Sequence, residues 1–143
     1  MRRKNPDDVY EPAESAYSQV VASPVEEMVF VAGTVPKDEK DNVVGAGDVG
    51  AQIRQVVENI EASLSCEGAT LSDVVRVRTF TTDMERYLSA ESIVLDYFGE
   101  QKPASTLVSV ERLADDFDGV REDTKGTEDT GYMVEVDATA VLR

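Results

Sequence analysis

The chain contains no histidine and no tryptophan, and its one cysteine is Cys66. Without histidine there is no Ser-His-Asp or Cys-His nucleophile pair. The imidazole donors of most zinc and iron sites are missing too, so no metal site is expected. Any catalysis has to use carboxylate, Tyr, Arg, Lys or backbone groups, and no cofactor is implied. A lone thiol near a helix end cannot close an internal disulfide and reads as a passive, small apolar residue. No run of about 18 apolar residues exists to cross a membrane, and Met1-Arg2-Arg3-Lys4-Asn5-Pro6 lacks the apolar stretch of a signal peptide. A soluble, cytoplasmic protein with no membrane partner is the expectation. Positive charge is scarce as well: 14 Lys and Arg stand against 29 Asp and Glu, a formal net charge of -15. Such a chain repels phosphate backbones, which argues against a nucleic-acid partner. The acids are spread along the chain, a pattern that suits a halophilic, acidic surface whose self-repulsion is screened by concentrated salt. The competing reading, an acidic patch for a basic partner, requires the charge to be focused on one face.

At 143 residues the chain is long enough for one domain, residues 1–143, with a core that needs no metal or disulfide. Residues 1–14 show little periodicity and predict an extended N-terminal arm. A strand is expected over Ala16 to Ala22, and Met28 to Val35 is a run of strand formers broken by Gly33, which signals a bulge or a close backbone approach. Lys37 to Asn42 is a charged turn. Asp48 then stands as an N-cap before Val49, Ile53, Val56, Val57, Ile60 and Leu64 at helical spacing, with Gly68 as the stop. Val74 to Thr82 alternates as a strand, with Val75, Val77, Thr79 and Thr81 opposite Val74, Arg76, Arg78 and Phe80. Thr82 and Glu85 fit a capping box opening a second helix to about Gly99.

Pro103 opens the stretch that decides the functional reading, Lys102 to Leu113. It alternates Thr106, Val108 and Val110 against Ser105, Leu107, Ser109 and Glu111. The acid-rich residues 114–131 predict a solvated loop. Tyr132 to Val141 closes the chain with Val134, Val136, Ala138 and Ala140 opposite Met133, Glu135, Asp137, Thr139 and Val141. The order is strand, strand, helix, strand, helix, strand, strand: an α+β architecture with two helices on one face of a single sheet. The other face is then expected to carry Ser105, Leu107, Ser109, Glu135, Asp137, Arg76 and Arg78. That surface is too apolar for open water and too polar for a closed core. Oligomerisation around a symmetry axis resolves it.

Three patterns invite chemistry. Gly45-Ala46-Gly47-Asp48-Val49-Gly50 fits G-x-G-x-x-G but follows only Val43-Val44, so its glycines are read as turning the chain into the helix rather than cradling a dinucleotide. Asp115 to Gly119 resembles a calcium loop, but the twelfth position is Lys125 where a bidentate Glu is needed. Glu135 and Asp137 share a strand face about 7 Å apart. They either pair with Arg76 and Arg78 or, in the case of Glu135, hold and activate a water in an intersubunit cleft. Tyr17 is either core or the lid of a ligand.

The text Ala16-Tyr17-Ser18-Gln19, Val29-Phe30-Val31-Ala32-Gly33, Gln52 with Asn59-Ile60, Asp73-Val74-Val75-Arg76, Phe80 with Asp83-Met84, Pro103-Ala104 and Val134-Glu135-Val136-Asp137-Ala138 resembles, in order and spacing, the RidA/YjgF family. These are the reactive intermediate deaminases, formerly grouped as endoribonuclease L-PSP. The resemblance implies a chorismate-mutase-like fold of the bacterial type, one mixed sheet closing into a trimeric barrel, and small-molecule clefts between the subunits of a homotrimer. It also implies hydrolysis of 2-imino acids to 2-keto acids and ammonia, with Glu135 positioning the water and with Tyr17, Ala32 and Gly33 lining the pocket. The family places an Arg after Pro-Ala to pair with the substrate carboxylate. This chain has Ser105 there, and Ala32 where Ser is common. Losing a charge-assisted fork worth roughly 1.5–3 kcal/mol weakens turnover by about ten- to a hundredfold. Two expectations follow: a homotrimer that binds or hydrolyses something else, or a deaminase whose carboxylate clamp has moved to Arg78. The family's ribonucleolytic use is disfavoured by the net charge.

Overall fold

The first helix, α1 (Val49–Ser65), forms where the apolar spacing places it: the Asp48 carboxylate accepts from the Ala51 amide at 3.1 Å, and Val49, Ile53, Val56, Val57, Ile60 and Leu64 are all buried. Each such side chain contributes up to about 1.5–3 kcal/mol by leaving water. Gly45 and Gly47 ahead of it have φ of 71° and 75°, conformations that favour glycine, so they turn the chain into the helix as expected. In the structure, a computed structural model that describes residues 1–12, 16–114 and 131–143, α1 lies across a four-stranded sheet.

That sheet is built from β3 (Glu27–Thr34), β4 (Val74–Thr81), β5 (Ala104–Ser109) and β6 (Val134–Leu142), in the order β3-β6-β4-β5. β6 pairs antiparallel with β3 and β4, whereas β4 and β5 run parallel, so the sheet is mixed. Two further helices, α2 (Met84–Ser89) and α3 (Glu91–Phe98), supply the parallel crossover and bury Tyr87 and Phe98. The architecture is the α+β, chorismate-mutase-like one expected. No helix among the described residues is long and apolar enough to cross a membrane.

Several local expectations need correction. The second helix is broken at Ala90, whose backbone (φ -102°, ψ 11°) leaves the helical region, and the Ser89 hydroxyl donates to the Arg86 carbonyl at 2.7 Å. The Ala90 amide, which that carbonyl would accept from in a continuous helix, bonds to the Tyr87 carbonyl instead. The cap of α2 is Asp83, one residue beyond Thr82, its carboxylate accepting from the Arg86 amide at 3.1 Å. A register shift between Val74 and Arg76 brings Val74 into the core, where the alternation put it outside. The strand expected over Ala16 to Ala22 shrinks to β2 (Val20–Ala22), which pairs antiparallel with β1 (Arg2–Lys4) inside the N-terminal arm.

The largest correction concerns β5. Its register sets Ser105 beside Val77, Thr106 beside Arg78 and Leu107 beside Thr79. Because Val77 and Thr79 are buried under the helices, Ser105, Leu107 and Ser109 belong to the helix side, and Leu107 packs against the core. Thr106 and Val108 share the open face with Arg76, Arg78, Glu135 and Asp137. An edge strand with one partner leaves both of its faces partly wet, so polarity alone did not reveal the side. The acid-rich run 115–130, including the calcium-like Asp115 to Asp118, lies outside the described residues.

Two interior polar groups carry measurable consequences. Gln52 has no exposed surface, donates to the Gly131 carbonyl at 3.1 Å and accepts from the Met133 amide at 2.8 Å. Gln52→Leu strands both partners and is expected to cost roughly 2–4 kcal/mol, read as a lower denaturation midpoint at unchanged slope. Burial pushes the Tyr87 phenol up to about 12, partly offset by its hydrogen bond with Thr79. A phenol with a raised folded value stabilises fully below its unfolded value near 10, and that contribution is lost as pH climbs through 12. Alkaline unfolding between about pH 10 and 12 should therefore remove roughly 2–3 kcal/mol. In Tyr87→Phe that part of the pH dependence should vanish.

Candidate ligand-binding site

The open face of the sheet is where the sequence's carboxylates and guanidinia meet. β6 alternates strictly: Val134, Val136, Ala138 and Ala140 are buried, so Glu135 and Asp137 must point away from the helices. Arg78, opposite Asp137 on β4, forks onto it, with Nε at 3.1 and 3.0 Å from the two carboxylate oxygens and Nη2 at 2.7 Å from Oδ2. That hydrogen bond holds the Arg78 guanidinium above its ordinary value. Arg76 donates to the Thr106 hydroxyl at 3.2 Å. The pairing expected between these charges is thus made by Arg78 and Asp137, and Arg76 turns to β5.

Glu135 is left apart from this pair. It is half-buried, and among the described residues its carboxylate has no hydrogen-bond or ion-pair partner. The register shift between Val31 and Thr34 brings Gly33 against it, so closely that a Cβ on Gly33 would lie 2.6 Å from Oε2. The glycine therefore leaves room for the carboxylate, the close approach that the sequence signalled. Ala32, the neighbour of Gly33, is exposed. Around this cluster the face is apolar: Phe30 is 72% exposed, Met28 48% and Val108 38%.

The remaining predicted residues gather elsewhere. The Ser18 amide donates to the Pro103 carbonyl at 3.1 Å, which ties the Tyr17-Ser18 segment to the start of β5, beside Ser105. Ser105 is exposed at the sheet's edge. Tyr17 lines an open pocket of about 250 Å³ with Lys102 and the arm residues Asn5, Pro6, Asp7, Val9, Glu11 and Pro12. Within one subunit, then, Arg78, Glu135, Gly33 and Ala32 form one group and Tyr17 and Ser105 another, with Arg78 and Ser105 on opposite sides of the sheet.

Sequence reasoning named the arm and the stretch from Lys102 but did not bring the two together in one pocket. Their signal lay in Gln19, whose amide donates to Asn5 Oδ1 at 2.9 Å and whose side chain donates to the Tyr10 carbonyl at 3.1 Å, stapling the arm in place. Lys102 itself has φ of 47°, a turn that redirects the chain into β5.

Residues 9–118 match the family model described as endoribonuclease L-PSP. A RutC family protein of Pyrococcus horikoshii is 39% identical over 100 residues, 70% of this chain and 78% of the relative. The 3-aminoacrylate deaminase RutC of Acinetobacter baylyi is 37% identical over 91 residues, 64% of this chain and 72% of the relative. Among solved structures, a Rid family protein of unknown function from Yersinia pestis superposes with a TM-score of 0.80 at 28% identity, covering 99% of this chain and 98% of that one.

The contact between Gly33 and Glu135 separates fold from site. Gly33 sits outside the left-handed backbone region, and the atoms in the way belong to the end of a flexible side chain. Gly33→Ala should therefore change stability by no more than about 0.5 kcal/mol while forcing the Glu135 carboxylate aside. A crystal structure of the variant with Glu135 undisplaced, or a melting loss of many degrees, would refute the arrangement.

Proposed function

The chain belongs to the endoribonuclease L-PSP family, which takes in the RutC and RidA/YjgF proteins, and on that footing we propose that it is a homotrimer holding small molecules in clefts between subunits, without efficient 2-imino acid deaminase activity. Members of the family are homotrimers. The exposed Phe30, Met28 and Val108 around a charged cluster supply a face that gains by being covered, since a contiguous apolar patch in water is costly.

The observation that carries the reading is the side chain at position 105. An imine hydrolase has to hold an anionic 2-imino acid while water adds to the C=N carbon. A base takes a proton from that water and passes it to the nitrogen, and the resulting carbinolamine loses its hydroxyl proton to the amine by way of the same base as the C–N bond breaks, leaving the 2-keto acid and ammonia. Glu135, half-buried and free of partners among the described residues, suits the base. The carboxylate clamp is what is weak: Ser105 offers one neutral hydrogen bond, where a guanidinium offers a charged fork.

The second reading, a deaminase acting on imines or enamines with its clamp at Arg78, is favoured by one specific fact. The Arg78 side chain is 54% exposed on the same face as Glu135. Against it, both carboxylate oxygens of Asp137 already occupy that guanidinium, and a substrate would have to displace them.

Turnover of 2-iminopropanoate generated in situ by an amino acid oxidase, in high salt, decides between them. The expected outcome is turnover near the uncatalysed rate for the native chain and a gain of about tenfold or more in Ser105→Arg. Robust native turnover that collapses in Arg78→Ala would overturn the first reading in favour of the second. A purified protein whose mass by light scattering is that of a monomer would remove both.

A further inference from the structure

The pocket shared by Tyr17, Lys102 and the N-terminal arm lies within one subunit, and its lining carries both signs of charge. Among the described residues that line it, Lys102 is the cation, Asp7 and Glu11 are the anions, and Tyr17 and Asn5 are neutral hydrogen-bonding residues beside the apolar Val9. Its volume, about 250 Å³, is below the roughly 300–1,000 Å³ of sites that take drug-sized ligands, and equals about eight waters. The occupant is therefore a small polar molecule.

Its charge follows from the lining. A simple anion facing Lys102 also faces Asp7 and Glu11, and does so in the field of a chain with a net charge of -15. A simple cation facing the two carboxylates meets Lys102. A ligand with a carboxylate and an ammonium on one carbon satisfies both sides and carries no net charge into the field. The geometry points to this pocket as a binding site for a small free amino acid, with the α-carboxylate held by Lys102 and the α-ammonium by Asp7 and Glu11.

The wall is preorganised. Gln19 fixes Asn5 and the Tyr10 carbonyl on either side of Asp7, and the Ser18 to Pro103 hydrogen bond ties the Tyr17 segment to the chain next to Lys102. Little ordering of the arm remains to be done on binding. The site shares Tyr17 with the cleft of the imine reading but uses neither Glu135 nor Arg78.

Calorimetric or NMR titration of the full-length protein with three matched probes tests it: L-2-aminobutanoate, 2-oxobutanoate and propylamine, which are the zwitterion, the anion alone and the cation alone. The expected result is saturable binding of L-2-aminobutanoate at least about tenfold tighter than of either other probe. Lys102→Met should reduce that affinity to about the level of propylamine, and the double variant Asp7→Asn, Glu11→Gln to about that of 2-oxobutanoate, with thermal melting of both variants unchanged. Equal binding of 2-oxobutanoate and L-2-aminobutanoate, no saturable binding of any probe, or an undiminished affinity in Lys102→Met would each overturn the assignment. Glu135→Gln, at the residue that suits the base in the imine reading, is expected to leave amino acid binding unaltered, so the two readings fail independently.

Discussion

The register of β6 is the constraint on which the rest of the molecule depends. Its residues alternate between the helix side, where Val134, Val136, Ala138 and Ala140 are buried, and the open side, where Glu135 and Asp137 stand. A slip of one residue would drive two carboxylates under α1 and expose the valines, a change that costs several kcal/mol per buried charge. Hydrophobic alternation sets this register, and Gln52 pins its start. The buried amide spans the Gly131 carbonyl and the Met133 amide, so the strand enters the sheet at one position only. Since β6 is flanked by β3 and β4, the same constraint sets Gly33 against Glu135 and Arg78 against Asp137.

Charge on the open face is handled unequally, and the inequality is informative. Arg78 and Asp137 neutralise each other with a fork, the strongest geometry available to that pair. Glu135, two residues from Asp137, is left without such a partner among the described residues, although Arg76 lies on the same face and bonds a neutral hydroxyl instead. A sheet face that served only to be solvated, or only to be packed, has no reason to keep one half-buried carboxylate in reserve beside a glycine cut to fit it. Structural pairing accounts for Asp137. It does not account for Glu135.

Much of this was legible in the sequence. The cap and stripe of α1, the alternation of β6 and the meaning of Gly33 all rest on strong local rules that tertiary structure had no cause to override. The failures share a different origin. Thr82 and Asp83 both start sequences that cap a helix, one residue apart, and the choice between them lies in the backbone rather than in residue type. The pairing of β1 with β2 joins short segments across a stretch with no periodic signal, and only the arm's docking through Gln19 brings them together. β5 was misread because Thr106 and Val108 are as good a candidate core face as Leu107 alone. Its burial is decided by a single partner strand and by Leu107 reaching the core. Lys102 was not assigned to a pocket because a lysine before a proline carries no motif, and its placement depends on a left-handed turn.

The corrected facing of β5 changes what assembly has to accomplish. With Ser105 on the helix side of an edge strand and Arg78 and Glu135 on the open side, one subunit cannot bring a hydroxyl at 105 and a carboxylate at 135 to the same small ligand across its own sheet. A site that uses both must take the edge of one subunit and the open face of another. The same packing would cover Phe30 and Met28, so the apolar gain and the assembly of the site have one source. In the proposed trimer, position 105 would speak across an interface: a charged fork there would reach toward a neighbour's carboxylate, whereas a serine would contribute no charge to that meeting. On a chain this acidic, a serine rather than a guanidinium at 105 would leave such a cleft with less to offer an anion and more to offer a neutral or cationic guest.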